Sequence, residues 1–394
     1  MAPRFEPSRL IIFIVVFVDL LGFGIMIPML PFFARNFGAS AFDVGLLMFV
    51  YSLMQLLVSP IWGQISDRIG RRPVLLLTIL GQALAFLWGG LSTTFISLLL
   101  SRVLSGVFAA NISTASAYMA DVTPPEERAK GMGLIGAAFG LGFIFGPAIG
   151  GILIPHGPEW PALAAAGICL LNFVLAFFVL PEPRIHPSLR EANRRKLSWT
   201  GIKSSLKNPR FFRPMLSFFL ITFAFVQLEI TFGLFVLDRF KLHERDAGFL
   251  LAFLGVTMAV VQGLMMGPLT KKFSESVLIK VGAIFAIAGL GAAALSFSVW
   301  SLMIALIFIA LGYSLMNPCL SAVTSKAAPA GQQGSVLGIF QSFGSFARVL
   351  APLTAGFLYD FKMELPLFSA LIVVGLMLAI WLRPSAGADF VEKV

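Results

Sequence analysis

Residues 63–77 read GQISDRIGRRPVLLL and form a short charged segment between two long apolar stretches. The flanking stretches, 44–66 and 73–92, each have about the 20 mostly apolar residues that a membrane-crossing helix needs. We therefore interpret the segment as a turn between two membrane spans. Its glycines and charged residues are Gly63, Asp67, Arg68, Gly70, Arg71 and Arg72.

The composition of the whole chain is that of an integral membrane protein. Of its 394 residues, 58% are hydrophobic and only 12% are charged, whereas about a quarter of the residues in soluble domains are charged. The strand alternation typical of a membrane barrel is absent. The sequence therefore predicts an all-α membrane protein with twelve spans, at about 10–34, 44–66, 73–92, 95–119, 129–154, 161–181, 212–238, 246–270, 276–296, 299–325, 333–358 and 364–383.

The basic residues predict how the chain is oriented. Most of the 29 lysines and arginines lie near one set of span ends, and the other set carries only Arg35, Arg239, Lys241, Arg245 and Lys362. Because positive charge is enriched in cytoplasmic loops, both termini are expected in the cytoplasm. The net charge of +10 is explained by these loops, so it does not indicate binding to nucleic acid.

The chain reads as two related halves. Gly133, Pro147 and Gly151 recur at one constant separation as Gly338, Pro352 and Gly356. We expect a six-helix half at 1–181, a basic cytoplasmic linker at 182–211, and a pseudo-symmetric six-helix half at 212–394. Two such halves are typical of a transporter whose central site opens to one side and then to the other.

Nothing in the sequence indicates an enzyme, a metal site or a cofactor. Cys169 and Cys319 both lie within apolar runs, so we expect neither a disulfide nor a metal site. No phosphate-binding loop or dinucleotide fingerprint is visible. Transport would therefore be driven by an ion gradient.

Span 5 carries a stripe of small residues in the stretch GLIGAAFGLGFIFGPAIGG, residues 133–151. Glycines four residues apart lie on one helix face and let another helix approach closely, and a proline can bend the helix. Ordinary helix packing is the simpler interpretation of this pattern. The residues concerned are Gly133, Gly142, Gly146, Pro147, Gly150 and Gly151.

Four ionisable residues stand out well inside the predicted spans, namely Asp19, Arg102, Glu229 and Arg348. Such residues are costly in a bilayer and are functional candidates by default. Asp19 lies about nine residues, or roughly 14 Å, into span 1. We expect it to carry a proton or to contact a cationic substrate, and a permanent ion pair with Arg102 is the alternative.

Glu229 in span 7 is a second candidate for the proton site or for contact with a cation. Its alternatives are a position near the outer mouth, or bonds to Gln227 or Thr231. Arg348 in span 11 either pairs with Glu229 or contacts an anionic substrate. Whether Asp19 or Glu229 carries the proton is left open by the sequence.

The turn at 63–75 resembles the signature of the major facilitator superfamily, G-x-L-A-D-R-x-G-R-R/K-x-x-L. The motif in span 5 resembles the one that marks its proton-coupled antiporters. Longer stretches such as VDLLGFGIMIPMLPFFAR and RVLSGVFAANISTASAYMAD are similar to the twelve-span drug/proton antiporters, and the tetracycline exporters are the most similar group that we recognise. Those exporters have an acid at the place of Ala85 and another within VGAIFAIAGL, and both are missing here.

The resemblance implies a role for each motif. The signature turn would act as a conformational lock on the cytoplasmic side. Asp121 at the end of span 4 would pair with this cluster, and Arg72 is its expected partner. Arg102 resembles the arginine that is linked to proton transfer.

These features predict a proton-coupled exporter of amphipathic drugs or similar small molecules, in a bacterial inner membrane. Protons, the substrate and the lipid bilayer are its expected partners, and we expect a monomer. Export of an endogenous metabolite or lipid is one alternative. A relative that does not transport and acts as a receptor or scaffold is the other.

Overall fold

The computed structural model describes residues 7–109, 111–123, 128–183, 209–328 and 333–383. Within these ranges the chain forms helices and no strand. Twelve helices are long and apolar enough to cross a membrane, which confirms the predicted fold class and number of spans. Helices are expected here because in lipid each backbone N–H and C=O must be bonded within its own segment.

The helices follow the predicted spans closely. Span 4 is described in two segments, and span 8 contains a short π-helical segment at Val261–Met265. The helices that form spans 1 to 12 are Pro7–Arg35, Ala41–Ile69, Arg71–Gly90, Phe95–Phe108 with Asn111–Asp121, Arg128–Leu153, Trp160–Val179, Pro209–Phe240, Glu244–Val260 with Met266–Lys272, Glu275–Ala294, Val299–Ala327, Gln333–Phe361 and Leu365–Leu382.

Large apolar side chains are exposed along the helices, for example Leu171, Phe178 and Trp300. In water such exposure would be unfavourable, but it is expected of a surface covered by lipid. Two helix starts carry a reciprocal capping box: Ser40 caps span 2 and Ser298 caps span 10.

The chain divides into two compact units. The first comprises Met1–Lys196, Glu229–Val256 and Pro352–Met363. Within it, spans 1, 3, 4, 5 and 6 share an apolar core that includes the fully buried Tyr118. The amide nitrogen of Asn172 in span 6 donates a 2.9 Å hydrogen bond to the carbonyl of Val15 in span 1, so these spans are tied by a polar contact as well as by packing.

The second unit comprises Leu197–Leu228, Thr257–Ala351 and Glu364–Val394. Phe218 and Phe340 stack within it, with 4.0 Å between their ring centroids. At another contact, the Nε1 of Trp381 donates a 2.8 Å bond to Ser217. Residues 184–208 of the predicted linker lie outside the described residues, and the halves 1–181 and 212–394 remain a prediction.

Candidate functional site: the signature turn, the span 5 glycines and the membrane charges

The signature turn joins span 2 to span 3 at one residue, Gly70. Its φ of +107° lies in the region that favours glycine. A Cβ at this position would also overlap the carboxylate of Glu182. Both the backbone conformation and the close approach of Glu182 therefore require glycine here.

Arg71, the first residue of span 3, lies at the centre of the charged cluster. Its guanidinium is 2.6 Å from the carboxylate of Asp67 and 3.1 Å from that of Asp121, and it also donates a hydrogen bond to Ser66. The side chains of Arg71 and Asp121 are only 6% and 7% exposed, whereas that of Asp67 is 63% exposed. The buried bond to Asp121 is therefore the dominant one, because water screens the exposed pair.

The prediction that Arg72 pairs with Asp121 is wrong, since Arg71 is the partner. Arg72 instead donates a 2.6 Å bond to the carbonyl of Phe177 in span 6 and lies over its ring. Successive residues of a helix point about 100° apart, so adjacent arginines face different spans. The sequence placed both in the cluster but could not determine which of them faces span 4.

Glu182 is a member of this site that the sequence did not reveal. It follows span 6, and its carboxylate accepts bonds of 2.7 and 3.0 Å from the backbone N–H groups of Arg71 and Arg72. Gly70 provides no side-chain cap to span 3, so Glu182 supplies the missing cap from another helix. An acid at a helix N-terminus also interacts favourably with the helix dipole.

Replacing Glu182 with alanine should lower the thermal stability of the protein. The start of span 3 loses two hydrogen bonds, and losing a helix cap costs about 1 kcal/mol. Thermal unfolding in detergent measures the effect. Glu159→Gln is the matched control, because Glu159 makes no side-chain bond to the start of its own helix. Equal unfolding temperatures for the two variants would show that Glu182 does not stabilise the turn.

The glycines of span 5 bring its backbone against span 1. A Cβ at Gly142 would lie 3.0 Å from the carbonyl group of Leu20, and one at Gly146 would lie 2.6 Å from the Cα of Gly24. Gly151 contacts span 8 instead, at the carbonyl of Arg245. The glycines of span 5 therefore contact two spans, 1 and 8. Gly142 and Gly146 determine how closely spans 1 and 5 pack.

The remaining motif residues, Gly133, Pro147 and Gly150, all lie in the same helix, Arg128–Leu153. Pro147 and Gly150 are buried. The carbonyl of Pro147 lies against Gly248 of span 8, where a Cβ would be 2.7 Å from it. Pro147 thus extends the contacts of span 5 from span 1 toward span 8.

Asp19 lies in span 1, one residue before Leu20 and thus beside the contact of Gly142. Its side chain is buried. On the same helix, Gly22 faces the thiol of Cys169 in span 6. The free energy of burying a carboxyl group among packed helices depends on its protonation state, because the ionised form costs far more to bury than the neutral form.

Arg102 is buried in span 4, with its guanidinium 5.5 Å from the ring centroid of Phe86. Gly89 of span 3 makes room for it, since a Cβ there would lie 3.1 Å from the Nη2 atom. Among the described residues, Nε and Nη2 have no hydrogen-bond partner. An arginine buried with free donors is costly, which supports a role beyond packing.

Glu229 is half-buried in span 7, and Arg348 is exposed in span 11. They belong to different compact units, and their pairing remains a prediction. Ala85 and the neighbouring Phe86 in span 3 are fully buried. The place where the tetracycline exporters carry an acid is therefore part of the packed interior here.

Comparison with known proteins identifies the family of the chain. A family model for the Major Facilitator Superfamily matches residues 12–352 and 234–389. Multidrug resistance protein 2 of Bacillus subtilis (strain 168) is 31% identical over 381 residues, 93% of each chain. The class E tetracycline resistance protein of Escherichia coli is 33% identical over 359 residues, covering 89% of this chain and 87% of its own.

Solved structures give the same result. The crystal structure of the human organic anion transporter MFSD10 (TETRAN) has a TM-score of 0.70 and 25% identity, and the match covers 96% of this chain and 100% of that one. The chain therefore belongs to the Major Facilitator Superfamily, as a multi-pass membrane transporter that resembles multidrug and tetracycline efflux pumps and is not an enzyme.

Proposed function

We propose that the chain is a proton-coupled exporter of amphipathic drugs that works by alternating access. It resides in a bacterial inner membrane. The distribution of its basic residues favours an orientation with both termini in the cytoplasm. It acts as a monomer, with protons and the drug as its partners. Drug resistance would be the consequence for the cell.

One observation carries the proposal: the antiporter motif of span 5 meets the backbone of span 1 at Leu20, the residue that follows Asp19. Gly142 meets Leu20 backbone to backbone, and Asp19 is the next residue. Protonation of Asp19 changes the cost of burying it, and no side chain at Gly142 or Gly146 separates span 5 from this part of span 1. The protonation state of Asp19 thereby biases how span 1 packs on span 5.

Arg102 supports the same assignment. Two of its nitrogens have no hydrogen-bond partner among the residues that the structure describes, and they would be satisfied by a water molecule or by an acid that approaches in another conformation. We propose that Arg102 stabilises the ionised form of the coupling carboxylate during the cycle. Glu229 is proposed as a second proton site or cation contact, and Arg348 as a contact in the substrate cavity.

The proposed substrate class follows from how the chain compares with its multidrug and tetracycline relatives. The multidrug relative matches along 93% of this chain, which favours amphipathic drugs. Tetracycline is not favoured, because the acid that the tetracycline exporters carry at the place of Ala85 is missing here. Export of a metabolite or lipid by the same machinery is the alternative.

Replacing Asp19 with asparagine should abolish proton-driven transport. Asparagine has nearly the same size but cannot exchange a proton, so coupling is lost while packing is retained. In inverted vesicles with an imposed proton gradient, wild-type protein should transport ethidium or Hoechst dye. Asp19→Asn should give the rate of vesicles that lack the protein.

Two further measurements make this test decisive. Thermal unfolding of Asp19→Asn should match the wild type, which shows that packing is intact. Glu229→Gln should retain gradient-dependent transport if Asp19 is the proton carrier. Full transport by Asp19→Asn would show that another residue carries the proton. If the wild type moves no dye but takes up protons with a lipid substrate, lipid export would replace the drug-export proposal.

A further inference from the structure

A second charged cluster lies at the end of span 2 opposite the signature turn. Span 2 runs from Ala41 to Ile69, so its two ends are about 42 Å apart. Side chains from spans 1, 7 and 11 meet at the Ala41 end, within the first compact unit. We call this the distal cluster, and it consists of Arg35, Asp238, Tyr359, Asp360 and the start of span 2.

Asp238 at the end of span 7 accepts bonds from two other spans. Arg35 of span 1 donates to both of its carboxylate oxygens, at 3.0 and 2.7 Å. The hydroxyl of Tyr359 in span 11 donates to it at 2.7 Å. A bidentate arginine–carboxylate pair is geometrically specific as well as charge-assisted. One carboxylate therefore holds the ends of spans 1, 7 and 11 together.

Asp360 fixes span 11 to span 2 in a different way. Its two carboxylate oxygens accept bonds from the backbone N–H groups of Ala41 and Phe42, at 2.9 and 3.0 Å. These are orphan donors of the first helical turn. The negative charge also lies at the positive end of the dipole of span 2, so Asp360 acts as a cap supplied from span 11.

The backbones of spans 2 and 11 touch beneath these bonds. Gly356 lies directly against the carbonyl of Ala41, and Gly45 lies against that of Pro352. Small residues at both positions bring the helices into contact. The two backbones are therefore in close contact, and Asp360 bridges them at the start of span 2.

The exposure of the distal cluster distinguishes it from the cluster at the signature turn. The side chains of Arg35 and Asp238 are 37% and 34% exposed, whereas those of Arg71 and Asp121 are nearly buried. Ions that are already partly hydrated separate at little cost, because water replaces the partner. The distal pair is suited to breaking and re-forming, and the buried pair is suited to staying formed.

We propose that the distal cluster is a breakable latch that closes the outer side of the transporter, with Asp238 and Asp360 as its two holding points. This rests on the proposed alternating access and membrane orientation. The latch is formed while the outer side is shut, and it must separate for cargo to leave outward. The signature turn and the distal cluster would thus act at opposite ends of span 2.

The test measures opening directly and does not depend on transport. Spin labels at Asn36→Cys and Lys362→Cys, both at exposed positions, report the distance between the ends of spans 1 and 11 after Cys169 and Cys319 are replaced by alanine. Pulsed electron resonance should show a longer distance population in the double variant Asp238→Asn/Asp360→Asn. The ratio of long to short distances should rise about two- to fivefold for each lost interaction of a half-exposed charge.

Asp246→Asn is the matched control, because among the described residues its carboxylate accepts a bond from the nearby backbone N–H of His243 and from no other span. It should leave the distance distribution unchanged. Molar salt should shift the labelled, otherwise unsubstituted protein toward longer distances, since exposed pairs are screened. Distributions that respond neither to the double variant nor to salt would overturn the latch. If the wild type shows no proton-coupled transport but these distances respond as expected, the proposed function fails and the latch stands.

Discussion

Replacing Gly146 with valine should remove most of the folded protein from the membrane. A Cβ at this position would lie 2.6 Å from the Cα of Gly24 and 2.8 Å from the backbone nitrogen of Ile25. Backbone atoms cannot move aside as a flexible side chain can, so spans 1 and 5 must separate. Overpacking typically costs about 1–3 kcal/mol, and we expect the upper end of that range or more, because valine adds two further methyl groups.

Gly140→Val is the matched control for this prediction. Gly140 lies in the same helix, is exposed, and has nothing within 4 Å of the position that its Cβ would take. Both variants place a β-branched residue in one helix, so the difference between them isolates the contact with span 1. Yield of monodisperse protein and thermal unfolding are the readouts. Equal yields for Gly146→Val and Gly140→Val would mean that spans 1 and 5 separate without loss of stability.

Part of this site was predictable because it depends on spacing along one helix. Gly142 and Gly146 lie four residues apart, and that spacing alone places them on one face. The sequence therefore predicted a close helix contact, and the structure supplies the partner, span 1. It could not name that partner, because apolar spans of similar composition are equivalent neighbours in a linear sequence.

The choice between Arg71 and Arg72 shows a second limit. Spacing places Asp67 and Arg71 one turn apart, but a glycine with positive φ lies between them, and it sets the direction in which span 3 starts. Glu182 and Asp360 show a third limit. Each caps a helix that is more than a hundred residues away in sequence, and no local pattern reports a cap donated across the fold.

Replacing Arg71 with methionine should destabilise the protein strongly. Methionine fills the space of the side chain stem but leaves the carboxylate of Asp121, only 7% exposed, without its cation. Breaking a buried ion pair by removing one partner costs about 3–5 kcal/mol. The loss of Asp67 as a partner adds little, because that carboxylate is 63% exposed and water solvates it. Thermal or denaturant unfolding in detergent measures the change.

Two variants identify the cause of that loss. Arg68→Met removes an exposed cation from the same turn and should change stability by less than about 0.5 kcal/mol. Arg71→Met combined with Asp121→Asn removes the stranded charge and should recover a large part of the stability, because the cost arises from an unpaired carboxylate rather than from a lost attraction. If the double variant were as unstable as Arg71→Met, the bond from Arg71 to Ser66 and the packing of its side chain would be the principal source of stability. In that case the buried pair at the signature turn would not be the element that holds span 3 to span 4.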